Sequence, residues 1–391
     1  MSQSKGGDQV TLAVNCGSSS VKIALFDSAL LRLSEAEASR IGTDQPVLLR
    51  FKGFEGREDE ELTAGASHGD AIGRLSEAVS QAYGHRLAGI GHRVVHGGQH
   101  FAEPSLIDDA LMADMEALTA LAPLHQPHNL TGIRLLGQAF PSLPQVACFD
   151  TAFHRSIPEK RQRYGLPPAY AERGLRAYGF HGLSCTHAVG QFTRLTGRPL
   201  PETLVICHLG NGASITGVRD GQSRYNSMGF TPIDGLIMGQ RSGHLDPGAV
   251  LWLVDDMKGD TAAVSALLNR RSGLLGVSGE SSDMRSLQQS GSDGARMAIE
   301  MFVDRVVHET AAAAASAGGF DALVFTGGIG SGSAKIRAEV LKGLAWLGFE
   351  LDEAANVAGA PTITTPNSSR SAHVIVADEE QVICRAVSEH I

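Results

Sequence analysis

The turn Gly17-Ser18-Ser19-Ser20, with Lys22 two residues further on, gathers backbone N–H groups, hydroxyls and an ammonium charge, a combination suited to phosphate oxygens. A serine-rich hairpin turn beside a solvent lysine would read the same way. Two arginines stand near glycines, Arg93 in GIGHRVVHGG and Arg241 in GQRSGHLDPG. A guanidinium fork matches carboxylate or phosphoryl oxygens, and neighbouring glycines let backbone and ligand come close; the plainer reading of each is a structural ion pair. Asp150 ends the apolar run VACFD, where α/β folds bind ligands, and His181 precedes a glycine in YGFHGLS. Carboxylate and imidazole together point to acid–base chemistry, although spacing cannot show that they meet, and each reads equally as a capping or core polar group.

Three further segments, HLGNGAS (208–214), SSDMR (281–285) and FTGGIGSGS (325–333), combine glycines with small polar residues. The last follows the apolar run ALVF and precedes a helical pattern, so it can offer N–H groups at a helix N-terminus, a natural anion site. No G-x-x-x-x-G-K-[ST] occurs, which excludes a P-loop, and the G-x-G-x-x-G order of a dinucleotide fold is absent. His92, His96 and His100 are spaced by four, but Val94-Val95 favour a strand and Gly97-Gly98 would break a helix. They therefore cannot share a helical face as metal ligands, and no H-E-x-x-H is present.

The elements that must position these residues follow α/β grammar. Strand-length apolar runs at 10–15, 21–26, 146–149 and 203–209 alternate with helical patterns. Leu111, Met115, Leu118 and Leu121 predict an amphipathic helix over 108–121, ended by Pro123, and Asn129 reads as the cap of the next. AVNCGSSSVKIALFD and VICHLGNGASITGVRD both read strand, small-residue turn, strand; this echo is compatible with internal duplication or with two unrelated hairpins. The Ala-rich stretch 311–319 predicts a helix with a small face for close packing.

A chain of 391 residues exceeds what one core supports, so two domains are expected, with a break near 150–155. With 42% hydrophobic and 19% charged residues it can bury full cores. A net charge of −9 argues against nucleic acid and anionic membranes as partners and favours small molecules. Five scattered cysteines without a C-x-x-C pair fit a reducing compartment; MSQSKGGDQV lacks a signal-peptide core, and no window reaches a membrane span, so a cytoplasmic protein is expected.

Taken in order, VNCGSSSVK, GHRVVHGG, APLHQPHNL, FDTAFH, YGFHG, HLGNGAS, MGFTPIDGLIMG, RSGHLDPG, SSDMR and FTGGIG resemble the acetate kinase family of the actin, Hsp70 and sugar kinase superfamily. The resemblance implies an α/β fold of two ribonuclease-H-like (actin-like ATPase) domains flanking a nucleotide-binding cleft. The first would span 1–152 plus 381–391 and the second 153–380, with a homodimer formed through the second. It implies a kinase that reversibly transfers the γ-phosphoryl group of ATP to acetate, giving acetyl phosphate and ADP, with Mg2+ or Mn2+ as cofactor. Asn15 and Glu379 would hold the metal. Lys22, the segment His208, Leu209, Gly210, Asn211 and Gly212, the segment Asp283, Met284 and Arg285, and the segment Gly328, Ile329, Gly330, Ser331 and Gly332 would hold the nucleotide. Arg93 would bind the substrate carboxylate, with Val95, Leu124, Phe180 and Pro232 around the methyl group. His181 and Arg241 would stabilise the transferring phosphoryl group, and Asp150 would lie by the metal and the reacting oxygens. Because acetate is ionised at neutral pH, Asp150 is assigned to orienting metal and water and not to removing a proton.

Several residues depart from the family pattern: Gln126, Leu183, Cys185, Gln240 and His244 beside Arg241, Ser331 and Gly332 in the nucleotide segment, and Asp378 next to Glu379. They touch donor and acceptor sides while leaving the phosphoryl machinery intact. Propionate or another short-chain carboxylate as acceptor, pyrophosphate as donor, and a non-catalytic nucleotide-binding sensor or scaffold are the rival readings.

Overall fold

The computed structural model describes residues 9–123 and 125–391. The chain divides into two units, the first running to Ala152 and resuming over Asp378–Ile391, the second formed by Phe153–Ala377.

The first unit is built on β1 (Val10–Cys16), β2 (Ser20–Asp27), β3 (Arg32–Ser39), β4 (Pro46–Lys52), β5 (Glu60–Ala64), β6 (Leu87–Val94), β7 (Ser105–Leu106) and β8 (Gln145–Phe149). They form one sheet in the order β5-β4-β3-β2-β1-β6-β8-β7. β1 to β5 form an antiparallel meander, while β1, β6 and β8 run parallel. β1 is buried along almost all its length because helices cover both sides of it, Asn15 near its carboxyl end being only partly buried. Leu12, Val14 and Cys16 share a core with Ile72 and Leu75 of helix His68–Tyr83 and Leu136 of helix Gln126–Ala139. On β6, Gly89 and Gly91 leave room for helix Glu379–His390: a Cβ on Gly89 would stand 2.9 Å from Val387, and one on Gly91 would overlap Ile383.

The second unit contains β9 (Thr203–Leu209), β10 (Ala213–Arg219), β11 (Gln222–Asn226), β12 (Ala322–Thr326) and β13 (Ser371–Val374), in the order β11-β10-β9-β12-β13. Its antiparallel meander β9-β10-β11 and parallel trio β9, β12 and β13 repeat the arrangement of β1-β2-β3 and β1, β6 and β8. The echo between the two hairpin sequences is therefore a repeat of ribonuclease-H-like topology. Helix Gly182–Thr196 packs Cys185, Ala188 and Phe192 against Leu204, Ile206 and Val324. Helix Asp293–Ala317 lies so close to β10 that a Cβ on Gly217 would stand 2.5 Å from the Ala313 carbonyl oxygen, which is what the small residues of the Ala-rich stretch permit.

Three expectations need correction or extension. Asn129 does not cap a helix: the helix begins at Gln126, and the Asn129 side chain, inside it, accepts from the Val95 N–H (3.0 Å) and donates to the Cys16 carbonyl (2.8 Å). The amphipathic stretch after Asp108 is α-helical only over Asp109–Ala117 and tightens to a 3-10 turn at Leu118–Leu121 ahead of Pro123. The glycine-rich segment after β12 precedes a helix, Ala334–Gly343, as its pattern predicts, but is also itself wound into a short helix, Gly327–Gly332. Among the described residues no helix is long and apolar enough to cross a membrane.

Candidate active site

In the first unit the parallel strands β1, β6 and β8 bring Asn15, Arg93 and Asp150 to their carboxyl ends. Asp150 is 1% exposed and receives Arg93 through its fork, Nη2 to Oδ2 at 2.6 Å and Nε to Oδ2 at 3.1 Å. Nη1 hydrogen-bonds no protein atom among the described residues, leaving one arm of the fork for another anion. Glu379, opening the C-terminal helix, lies 3.7 Å from Arg93 Nε. Burial opposes the Arg93 charge, but Asp150, Glu379 and Glu380 outweigh it and hold the guanidinium pKa above its ordinary value. Burial, opposed by Arg93 and Lys22 and reinforced by Asp150 and Glu380, leaves the Glu379 carboxyl pushed up to about 7.

Lys22 is the cross-strand partner of Asn15 and is exposed, 3.6 Å from Glu37. The turn before it closes through Gly17 N–H to the Ser20 carbonyl (2.8 Å), and His68 Nε2 donates to the Gly17 carbonyl (2.8 Å). Val95 is buried after β6; Leu124 lies outside the described residues. Among the described residues no three His, Cys, Asp or Glu side chains form a ready cation site. Mg2+ needs fewer protein ligands than that, since it typically keeps waters and takes one or two carboxylates plus substrate phosphates. The hard oxygens of Asn15 and Glu379 fit it, and a cation would offset the burial and the neighbouring carboxylates that raise Glu379.

In the second unit β9 and β12 are parallel neighbours, with Thr326 level with His208, so the segments leaving their ends meet. His181 holds φ +60°, a left-handed conformation, at the start of helix Gly182–Thr196. Its Nδ1 shares a 2.9 Å hydrogen bond with Ser214 Oγ on β10, and its ring stacks on His208 at 4.1 Å between centroids. His208 is held by Ser184 through Nδ1 at 2.8 Å. A Cβ on Gly212 would stand 3.2 Å from His181 Nε2 and 3.8 Å from Arg241 Nη1, so imidazole and guanidinium converge on this glycine. Arg241 Nη1 also donates to the Pro232 carbonyl (3.1 Å). The Arg241 loop is clamped by backbone bonds from Ser272 to Gln240 (3.0 Å) and from Leu274 to Met238 (2.8 Å). Phe180, 2% exposed, is fixed by His154 Nε2 donating to its carbonyl (2.8 Å) and by Asn226.

Gly239 donates to the Asn211 carbonyl (3.0 Å), and a Cβ there would overlap Asn211 Oδ1. Gly327, φ +75°, lies against Leu209, whereas Gly328 and Gly332 have open space where a side chain would start. Asp283 caps helix Met284–Gln289 by accepting from the Ser286 N–H (2.9 Å), which holds its carboxyl below the usual range, and Arg285 is exposed beside it. Gln288 ties this helix to the glycine segment through Ser333 (2.9 Å), next to a cavity of about 690 Å³ lined by Leu287, Gln288, Val303, Lys335 and Glu339. His244 Nδ1 lies 3.2 Å from Asp234 Oδ1.

Within each unit the candidate residues are thus largely gathered: Arg93, Asp150 and Glu379 in the first, His181, His208, Gly212, Pro232 and Arg241 in the second. Sequence reasoning missed the residues that orient them. Ser184, Ser214 and His154 lie inside the motifs YGFHGLS, HLGNGAS and FDTAFH and so carried a signal, whereas Asn226 carried none.

The family model described as the acetokinase family matches residues 10–385. Acetate kinase of Rhodopseudomonas palustris is 43% identical over 97% of both chains, and that of Deinococcus deserti 44% over 96% of both. Among solved structures, a propionate kinase from Francisella tularensis superposes with a TM-score of 0.91 at 38% identity, covering 97% of this chain and 98% of that one. An acetate kinase from Porphyromonas gingivalis gives 0.87 at 33%, covering 97% and 99%. With a family match across nearly its whole length, on a fold shared with solved members, this chain belongs to the acetokinase family of enzymes that phosphorylate a carboxylate.

Proposed function

We propose that this protein is an acetate kinase that moves the γ-phosphoryl group of ATP onto acetate and, in reverse, the phosphoryl group of acetyl phosphate onto ADP. The observation that carries this reading is the convergence of His181 Nε2 and Arg241 Nη1 on Gly212, within a segment assigned to the nucleotide. A metaphosphate-like transition state spreads negative charge over its equatorial oxygens, so catalysis is mainly positioning and cationic stabilisation, and no strong base is needed. An acetate oxygen attacks phosphorus as the bond to the bridging oxygen of ADP breaks. Arg241 and His181 stabilise the phosphoryl oxygens. Arg93 offers its remaining fork arm to the acetate carboxylate, and Val95, Leu124, Phe180 and Pro232 are assigned to the methyl group.

Lys22, the backbone of His208–Gly212, Asp283–Arg285 and Gly328–Gly332 are assigned to the nucleotide. Asn15 and Glu379 are assigned to Mg2+, with Asp150 orienting water and oxygens beside them. The ion, when bound, neutralises phosphate charge. We assign the enzyme to the cytoplasm as a homodimer formed through the second unit. Five buried free cysteines are consistent with the first assignment. Helix Pro247–Asp256, which buries none of its residues and exposes Leu251 and Trp252, supports the second.

Trapping of the acyl phosphate product with hydroxylamine, with acetate, propionate and butyrate in turn, tests the acceptor, and replacement of ATP by pyrophosphate in the same assay tests the donor. The highest kcat/KM is expected for acetate with ATP. Propionate is the second reading, favoured by the likeness to a propionate kinase structure; a higher kcat/KM for propionate would establish it, and turnover with pyrophosphate alone would reject ATP.

A further inference from the structure

Helix Gly327–Gly332 has the sequence GGIGSG, which no helix propensity favours: glycine costs about 1 kcal/mol per residue relative to alanine, and six residues are too few for cooperative stability. Its last carbonyls should also lack partners, as at any helix end. A side chain from the following helix, Ala334–Gly343, supplies them. Arg337 Nη1 donates to the Gly330 carbonyl (3.0 Å) and the Ser331 carbonyl (2.8 Å), while Nε donates to Asn356 Oδ1 (2.8 Å) and Nη2 to the Asn356 carbonyl (2.6 Å). Asn356 is itself anchored by its Nδ2 donating to the Ala334 carbonyl (2.9 Å).

Arg337 is 2% exposed, and among the described residues no carboxylate pairs with it. A buried guanidinium answered only by neutral oxygens is costly to desolvate. Arginine remains charged in such a setting, so charge-assisted bonds to four oxygens compensate it. Removing them would leave the glycine helix with free carbonyls and little reason to stay wound.

We infer that Arg337, anchored by Asn356, is a positioning residue for the nucleotide: it holds Gly328–Gly332 in the conformation that receives the donor and thereby sets donor affinity. This inference rests on the assignment of Gly328–Gly332 to the nucleotide. Gly328 and Gly332, where a side chain would meet open space, are the parts of the segment left free for that contact. Arg337 reaches its carbonyls from the buried side and touches no reacting atom.

The test compares wild type with Arg337→Lys and Asn356→Ala, the second of which keeps the arginine and loosens only its anchor. Steady-state kinetics would be run with each substrate varied, well below each variant's melting temperature, alongside calorimetric titration with ADP and Mg2+. KM for ATP and Kd for ADP are expected to rise at least tenfold in Arg337→Lys and severalfold in Asn356→Ala, while KM for acetate stays within twofold. A lower melting temperature with KM for ATP and Kd for ADP unchanged in both variants would overturn the inference and leave Arg337 a purely structural residue. Equal rises in both KM values would also overturn it. Failure of wild type to bind ADP would remove the nucleotide reading beneath it, and the two failures are distinct because the second requires a wild type that binds.

Discussion

A methyl group added at position 212 would press on His181 Nε2 and approach Arg241 Nη1, the two groups assigned to the phosphoryl oxygens. Gly212 does not hold a positive φ, so alanine fits the backbone there and the effect falls on the site. Gly212→Ala should therefore lower kcat by roughly tenfold to a hundredfold, the scale of a small misplacement of catalytic groups, while the melting temperature hardly moves. An unchanged kcat would show that nothing reacts near that glycine. Arg93, Asp150, His181 and Arg241 were each visible in the sequence as polar residues in apolar or glycine-rich settings. The pairing of Arg93 with Asp150 was not, because a separation of 57 positions says nothing about which strand ends become neighbours. The serines that fix the two stacked imidazoles lie inside the motifs, but which imidazole each meets was not legible, since Ser214 and Ser184 reach across to a histidine of the other segment.

At the scale of elements, the strands around 10–15, 21–26, 146–149 and 203–209 were legible because mostly apolar runs of four to seven residues leave few alternatives, whereas β3 and β5, with their charged residues, were not. Asn129 was misread because a cap and a tertiary bridge use the same side-chain amide, and only the sheet supplies the Val95 N–H and Cys16 carbonyl. The winding of Gly327–Gly332 was not legible because it leans on Leu209, remote in sequence, and on Arg337, which is only a few residues on but has nothing in its spacing to mark it as a cap. Gly91 shows the same dependence in a testable form. Gly91→Ala would drive a methyl group into Ile383 and displace helix Glu379–His390 from β6. It should cost about 1 to 3 kcal/mol, read as a shift in the urea midpoint, and should raise KM for ATP because Glu379 opens that helix. Wild-type stability in this variant would mean that the helix can move away freely.

Four of the buried imidazoles, His92 and His96 in the first unit and His154 and His373 in the second, are pushed down to about 4 by burial. An unfolded histidine titrates near 6.5, so between about pH 6.5 and 4 the unfolded chain binds more protons than the folded one. Stability contributed this way is complete above that window and is lost as pH falls through it. Differential scanning calorimetry from pH 7.5 to 4.5 should give a melting temperature that is level at the upper end and drops below about 6.5; a level curve throughout would contradict neutral burial. For the proposed dimer, Trp252→Glu should shift the sedimentation coefficient to that of a monomer, and an unaltered coefficient would place the interface elsewhere. The central claim, phosphoryl transfer to acetate assisted by Arg241, is tested most directly by trapping acyl phosphate with hydroxylamine in the presence of Mg2+, ATP and acetate. Wild type should form acetyl hydroxamate, and Arg241→Ala should form it at a rate lower by about 10² to 10³, the usual cost of removing one donor to transition-state charge. No hydroxamate from wild type, or an undiminished rate in the variant, would contradict the account.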